Sequence, residues 1–220
     1  QQDPAFAAVA FATGEAAKFR PELRAQVFAE VARAAAVEKV YATSVSTWIE
    51  ALNRSTQRDW LKEAARAARK SGQPAALVSF FERQHQRSPR DVRWAVAARE
   101  LRVATDNLPG GIEMAQTAAR IRPERQLLWD EGVELMERDA RFVEAADFLE
   151  GWNVQRPDDP SVAGRRSELY IRGGDLRKAV AVERAALDAF EKTEPTEEDL
   201  GNRTADAARR LWRQGQPRLA

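Results

Sequence analysis

Residues 157–179 read PDDPSVAGRRSELYIRGGDLRKA. An Asp-Pro step opens a helix-like stretch, a Gly-Gly-Asp break closes it, and a second helix-like stretch follows. Asp159 before Pro160 places a capping side chain in front of a residue whose missing N–H costs nothing at the first helical position. The alternatives are an isolated hairpin and one tile of a repeat, and comparing positions along the chain decides between them.

Pro21, Pro89, Pro123 and Pro157 lie at multiples of 34 residues from one another, with Ser55 on the missing rung. The Gly-Gly break belongs to a second ladder at the same spacing: Gly72, Asp106, Ala140, Gly174. Three further ladders are apolar or aromatic: Val40, Pro74, Leu108, Phe142, Leu176; Ala67, Leu101, Leu135, Leu169; and Trp60, Trp94, Leu128, Val162. Several independent ladders with one period, each unit holding two helical stretches, are the signature of a helix–turn–helix array. Further helix starts are expected at Asp3-Pro4, at Ser88-Pro89 with Asp91 three residues on, and at Thr196 with Asp199. The segment VYATSVST at 40–47, the nearest to a strand pattern, lies inside a longer helical period.

The segments ARFVEAADFLEGWNVQRPDDP (140–160) and GDLRKAVAVERAALDAF (174–190) resemble the tetratricopeptide repeat (TPR) in the opening of its second helix and, in the first, its closing proline. Ala145 and Ala179 match the small residue where paired helices touch; Leu77 and Gly111 stand at the equivalent positions. The resemblance implies an all-α fold, a right-handed α-α superhelix (solenoid) of TPR-like hairpins, with first helices lining a concave groove. A related helical-pair solenoid of similar period is the alternative. The expected organisation is an N-terminal helix, partial repeat or cap over 1–20; five repeats at 21–54, 55–88, 89–122, 123–156 and 157–190; and a C-terminal helix, half-repeat or cap over 191–220. Pro109-Gly110-Gly111 is expected to delay the second helix of its unit.

Composition bounds the chemistry. The 220 residues are 44% hydrophobic and 31% charged, which suits an ordered chain. There is no cysteine and one histidine, His85, so disulfides, zinc–thiolate sites and cysteine nucleophiles are excluded. His85 reads as a solvated helix position. NLPGG (107–111) and GGD (173–175) lack the phosphate-loop pattern and read as inter-helix turns. No apolar run approaches a membrane span. Residues 1–110 carry 17 basic and 12 acidic side chains, a net of +5, and the remaining 18 basic and 22 acidic leave −4. The overall balance of +1 argues against nucleic acid as a partner.

No catalytic group, cofactor or metal site is expected. The expected function is a non-catalytic protein-interaction scaffold holding a peptide or partner domain in the groove. One alternative is a TPR segment of a larger bacterial envelope, secretion or exopolysaccharide-export protein, which favours a periplasmic or secreted location over a cytoplasmic one. A second is the repeat part of an enzyme or nucleic-acid regulator whose active domain lies elsewhere. Carrying the family's groove positions over on the tryptophan ladder gives Arg58, Arg99, Arg102, Gln126, Trp129, Glu137, Ser167 and Tyr170, with Arg24 and Arg69 beside them. Trp129 and Tyr170 with nearby arginines form the expected anchor, since interface anchors favour these residue types. Trp60, Trp94, Trp48 and Trp212 are expected in the core, and Trp152 between repeats.

Overall fold

The computed structural model describes Phe11, Gly14, Glu15 and residues 18–72, 74–156, 159–193 and 195–215, without the side chains of Pro21, Glu22, Arg58, Pro160 and 213–215. The Asp3-Pro4 start and Pro157 lie outside the described residues. From residue 21 onward, eleven α-helices are described: α1 (Pro21–Val37), α2 (Tyr41–Leu52), α3 (Arg58–Ser71), α4 (Pro74–Arg87), α5 (Val92–Ala104), α6 (Leu108–Ile121), α7 (Gln126–Arg138), α8 (Phe142–Gln155), α9 (Pro160–Arg172), α10 (Leu176–Glu191) and α11 (Glu197–Gly215). No strand occurs among the described residues. No described helix is long and apolar enough to cross a membrane.

The period seen in the sequence is a period of helix starts. First helices begin at 58, 92, 126 and 160, and second helices at 74, 108, 142 and 176, each thirty-four residues apart. The backbone reason lies in the Gly72–Asp106–Ala140–Gly174 ladder. All four residues have positive φ, at 71°, 63°, 57° and 81°, and Lys39 joins them at 62°. Each terminates a first helix in the left-handed conformation. The N–H of Lys39, Gly72, Asp106, Ala140 and Gly174 reaches back three residues, to the carbonyls of Ala36, Arg69, Val103, Glu137 and Ile171. The following residue closes a wider loop: Val40 to Ala35 (2.9 Å), Asn107 to Arg102 (2.8 Å), Arg141 to Met136 (2.9 Å) and Asp175 to Tyr170 (2.8 Å). This paired arrangement satisfies the last carbonyls of a helix and turns the chain sharply. The GGD break is therefore a helix stop and a hairpin corner.

The other ladders are packing positions. Trp60, Trp94, Leu128 and Val162 are all buried, as are Ala67, Leu101, Leu135 and Leu169. Leu77, Gly111, Ala145 and Ala179, on the small-residue ladder, are buried too.

The helices fall into two compact units, residues 1–121 and 122–220. In the first, α1 packs on α2, α2 on α3, α4 on α5 and α5 on α6, and the first helices α3 and α5 also touch. Its core runs through Phe28, Trp48, Trp60, Phe81 and Trp94, with Trp48 and Trp60 6.3 Å apart and Phe81 and Trp94 6.0 Å apart. In the second, α7 packs on α8, α8 on α9, α9 on α10, and α11 on both α9 and α10. A helix pair cannot bury both its faces alone, so each leans on the next.

Three expectations about local structure change. Pro109-Gly110-Gly111 does not delay its helix, because α6 starts at Leu108. Proline is tolerated in the first turn, and the glycines serve close packing of α6 on α5. A Cβ at Gly110 would lie 2.5 Å from Arg102 Nη1, and one at Gly111 2.7 Å from Val103 Cγ2. Ser88-Pro89 forms a turn rather than a cap; Asp91 caps α5, its side chain accepting from the Arg93 N–H at 3.1 Å. Trp212 is not in the core: it is 71% exposed. Asp159 caps α9 as expected, accepting from the Ser161 N–H at 3.0 Å. Thr196 and Asp199 bond reciprocally at the start of α11.

Candidate functional site

The residues expected to line a groove are mostly engaged in holding helices together. Trp129 is 5% exposed. Its indole lies 4.7 Å from the Phe148 ring, and its Nε1 donates to the Pro123 carbonyl at 2.9 Å. It fills a slot on α8 that exists because residue 151 is glycine: a Cβ there would overlap the indole. Trp129 is thus a packing residue between α7 and α8, not an exposed anchor.

Tyr170 is also buried, at 3% exposed, and its hydroxyl donates to Asp147 Oδ1 at 2.6 Å. Lys178 joins the same carboxylate at 3.1 Å and holds its ammonium 5.2 Å above the Tyr170 ring. Burial and the bond to Asp147 push the Tyr170 hydroxyl above the ordinary tyrosine value. Burial pushes the Asp147 carboxyl up, but the bonds from Tyr170 and Lys178 outweigh it and leave the group below its usual range. The bond to Asp147 in turn raises Lys178. The trio ties α8, α9 and α10 together.

Ser167 is fully buried and its hydroxyl has no partner among the described residues. Arg99 is 3% exposed and pairs with Glu100 at 2.7 Å. Arg102 bridges Glu82 and Glu113, the latter at 3.2 Å. Glu137 pairs with Arg172 and with Arg165, the latter at 3.8 Å. Arg69 pairs with Asp106 at 3.3 Å. The Arg58 side chain lies outside the described residues, and of the other seven Gln126 alone is exposed. Trp129, Tyr170, Ser167 and Arg99 are therefore corrected as exposed groove positions. They sit on the buried side of their helices. Among the other tryptophans, Trp48, Trp60, Trp94 and Trp152 are buried as expected. His85 is half-buried rather than solvated, with an unpartnered Nδ1.

An open concavity occurs elsewhere, on the second unit. A cleft of ≈ 480 Å³ is floored by α10 and walled by the end of α8, by α9 and by the approach to α11. A smaller one of ≈ 350 Å³ separates α10 from α11. The two share the lining residues Ala163, Ala186, Phe190 and Arg203. The floor is apolar and low, made by Ala181, Ala185 and Ala189 one turn apart with Val182 beside them. Ala181, Ala185 and Ala189 are exposed.

The rim is charged. Glu150 pairs with Arg166, whose Nε also donates to the Ala146 carbonyl at 3.3 Å. Glu183, 4% exposed on α10, takes a two-pronged bond from Arg210 of α11 at 2.8 and 3.0 Å. That bond raises the Arg210 guanidinium above its ordinary value. The cleft stays open because α11 is polar and buries little: among its described residues the one buried hydrophobic is Ala207. Residues 148, 149 and 152 of α8, one period upstream, are Phe, Leu and Trp; on α10 they are Val182, Glu183 and Ala186. Smaller side chains at the end of the unit leave the space unfilled.

Sequence reasoning missed this surface because it looked only at first helices. The available signal was α10 itself, AVAVERAALDAF, which has more small apolar residues than one packing stripe needs.

The architecture is TPR-like. It rests on helical pairs repeating every thirty-four residues with a left-handed stop between the members of each pair. No family model matches the sequence, and no curated protein matches it. Among solved structures the chain is similar to a thermophilic TPR protein of Thermus thermophilus, at 20% identity over 84% of this chain and 98% of that one, TM-score 0.36. It is similar to the MamA protein at 11% identity over 79% of this chain and 95% of that one, TM-score 0.40. It is also similar to YrrB, described as a TPR protein with an unusual peptide-binding site, at 11% identity over 74% of this chain and 84% of that one, TM-score 0.38.

Proposed function

We propose that the chain is a non-catalytic protein-interaction scaffold, built of five TPR-like units over residues 21–190, that holds a peptide or partner domain in the cleft on α9, α10 and α11. The observation that carries this reading is the cleft's construction: a low apolar floor of Ala181, Ala185 and Ala189, bordered by Phe190 and by paired charges. Ligand sites are concave and mostly apolar, with a few polar groups that fix orientation. Helices whose contact residues are alanines approach closely, so a partner segment lying on α10 gains contact along its length. The floor is held by a rigid support, since α10 is tied to α8 and α9 by Asp147, Tyr170 and Lys178. A preformed surface of this kind costs little ordering on binding.

The test is affinity capture from the source cell with wild-type protein and with Ala185→Arg. The arginine side chain would occupy the middle of the floor without touching the core, so the partner should be lost from the variant while the far-ultraviolet circular dichroism stays the same. Retention of the same partner by Ala185→Arg at wild-type strength would remove the cleft from the account.

A further inference from the structure

We infer that the cleft's occupant is an amphipathic helix presenting an Asp or Glu side chain, and that Arg203 is the residue that reads it. This rests on the cleft being the docking surface. Arg203 lines both parts of the cleft. Its guanidinium carbon lies 4.2 Å from the centre of the Phe190 ring. A guanidinium held over a ring face keeps its planar fork of N–H donors for two-pronged recognition of a carboxylate.

No acidic group among the described residues is paired with Arg203, and the carboxylates around it are occupied elsewhere. Glu150 is held by Arg166 and Glu183 by Arg210. Asp159 caps α9, Asp199 accepts the Thr196 hydroxyl at 2.6 Å, and Asp206 pairs with Arg209 at 3.4 Å. The cleft thus holds a positioned cation with unused donors beside an apolar floor. Its complement is an apolar segment carrying one negative side chain. A helix fits better than an extended strand. The floor residues recur at four-residue intervals along α10, which makes a straight ridge that a second helix packs against.

A display library of helical peptides about as long as α10, randomised on one face, provides the probe. It is panned against the full chain, and selected peptides are measured by fluorescence anisotropy against wild type, Arg203→Gln and Ala185→Arg. Selected peptides should carry an Asp or Glu. Changing that residue to its amide should weaken binding to wild type about tenfold or more, which is ~1.4 kcal/mol, and should change nothing for Arg203→Gln. Peptides blocked by Ala185→Arg but indifferent to Arg203→Gln would overturn this inference and leave the cleft reading intact. Failure to select any peptide, or binding that survives Ala185→Arg, would overturn both.

Discussion

Ala140 terminates α7 at φ 57°, a conformation that presses Cβ toward the following carbonyl. Such a residue costs roughly 1–2 kcal/mol relative to the right-handed conformation. Glycine carries no such strain, but it loses about 0.5–1 kcal/mol more chain entropy on folding. Ala140 is exposed, so its methyl contributes no packing that the change would remove. Ala140→Gly should therefore stabilise the chain by about 0.5–1 kcal/mol, with an expected rise of roughly 1–3 °C in melting temperature. Gly174, at φ 81° on the next rung, supplies the mirror experiment: Gly174→Ala should lose about 1 kcal/mol. Asp106→Gly should fall between them near neutrality, because aspartate tolerates the left-handed region better than alanine. Urea unfolding followed by far-ultraviolet circular dichroism measures all three. If Ala140→Gly is no more stable than wild type and Gly174→Ala loses nothing, the residues of that ladder are not helix stops, and the explanation given for the period fails.

Three further outcomes follow from the packing. Gly151→Ala places a methyl in the Trp129 indole and should destabilise by about 1–3 kcal/mol, with a change in tryptophan fluorescence; a neutral result would mean Trp129 is not seated on α8. Arg210→Ala strands the nearly buried Glu183 and should raise hydrogen exchange across Glu197–Gly215 while leaving α1–α6 unchanged; unchanged exchange would show that the pair does not hold α11. Tyr170, raised by burial and by its bond to Asp147, should ionise above the ordinary tyrosine value near 10. Its stabilising effect is fully present below the unfolded value and is lost as pH rises through the folded one. Ultraviolet titration of wild type against Tyr170→Phe checks this, and a group titrating with free tyrosine would contradict it.

What the sequence made legible were features whose cause is local or shared by every repeat. Gly72 and Gly174 mark the turn because a left-handed stop needs little side chain, and the same backbone need explains why Asp106 and Ala140 share the ladder. Trp60, Trp94, Leu128 and Val162 repeat because each fills the same space between paired helices. Features set by one neighbour were not legible in this way. Trp129 looked like an exposed anchor because it follows a packing rung by one residue, but a single glycine on the next helix opens a slot that takes it in. Ser167 and Tyr170 went the same way, Tyr170 through a carboxylate on α8. Pro109-Gly110-Gly111 has the composition of a loop, yet it begins a helix whose glycines meet Arg102 and Val103. The cleft was invisible for a different reason. Its existence depends on α11 failing to cover α10, which is a property of the space between helices and not of any motif.

The most direct test of the account is photo-crosslinking from two positions in the source cell. A benzophenone amino acid replaces Ala185 on the floor of the cleft or, as control, the exposed Arg138 at the end of α7. The account expects a discrete protein adduct from position 185 and none from 138, with the crosslinked partner peptide helical and bearing an acidic residue. Adducts of equal yield from both positions, or none from 185 while the partner still co-purifies, would place the interaction surface elsewhere on the chain.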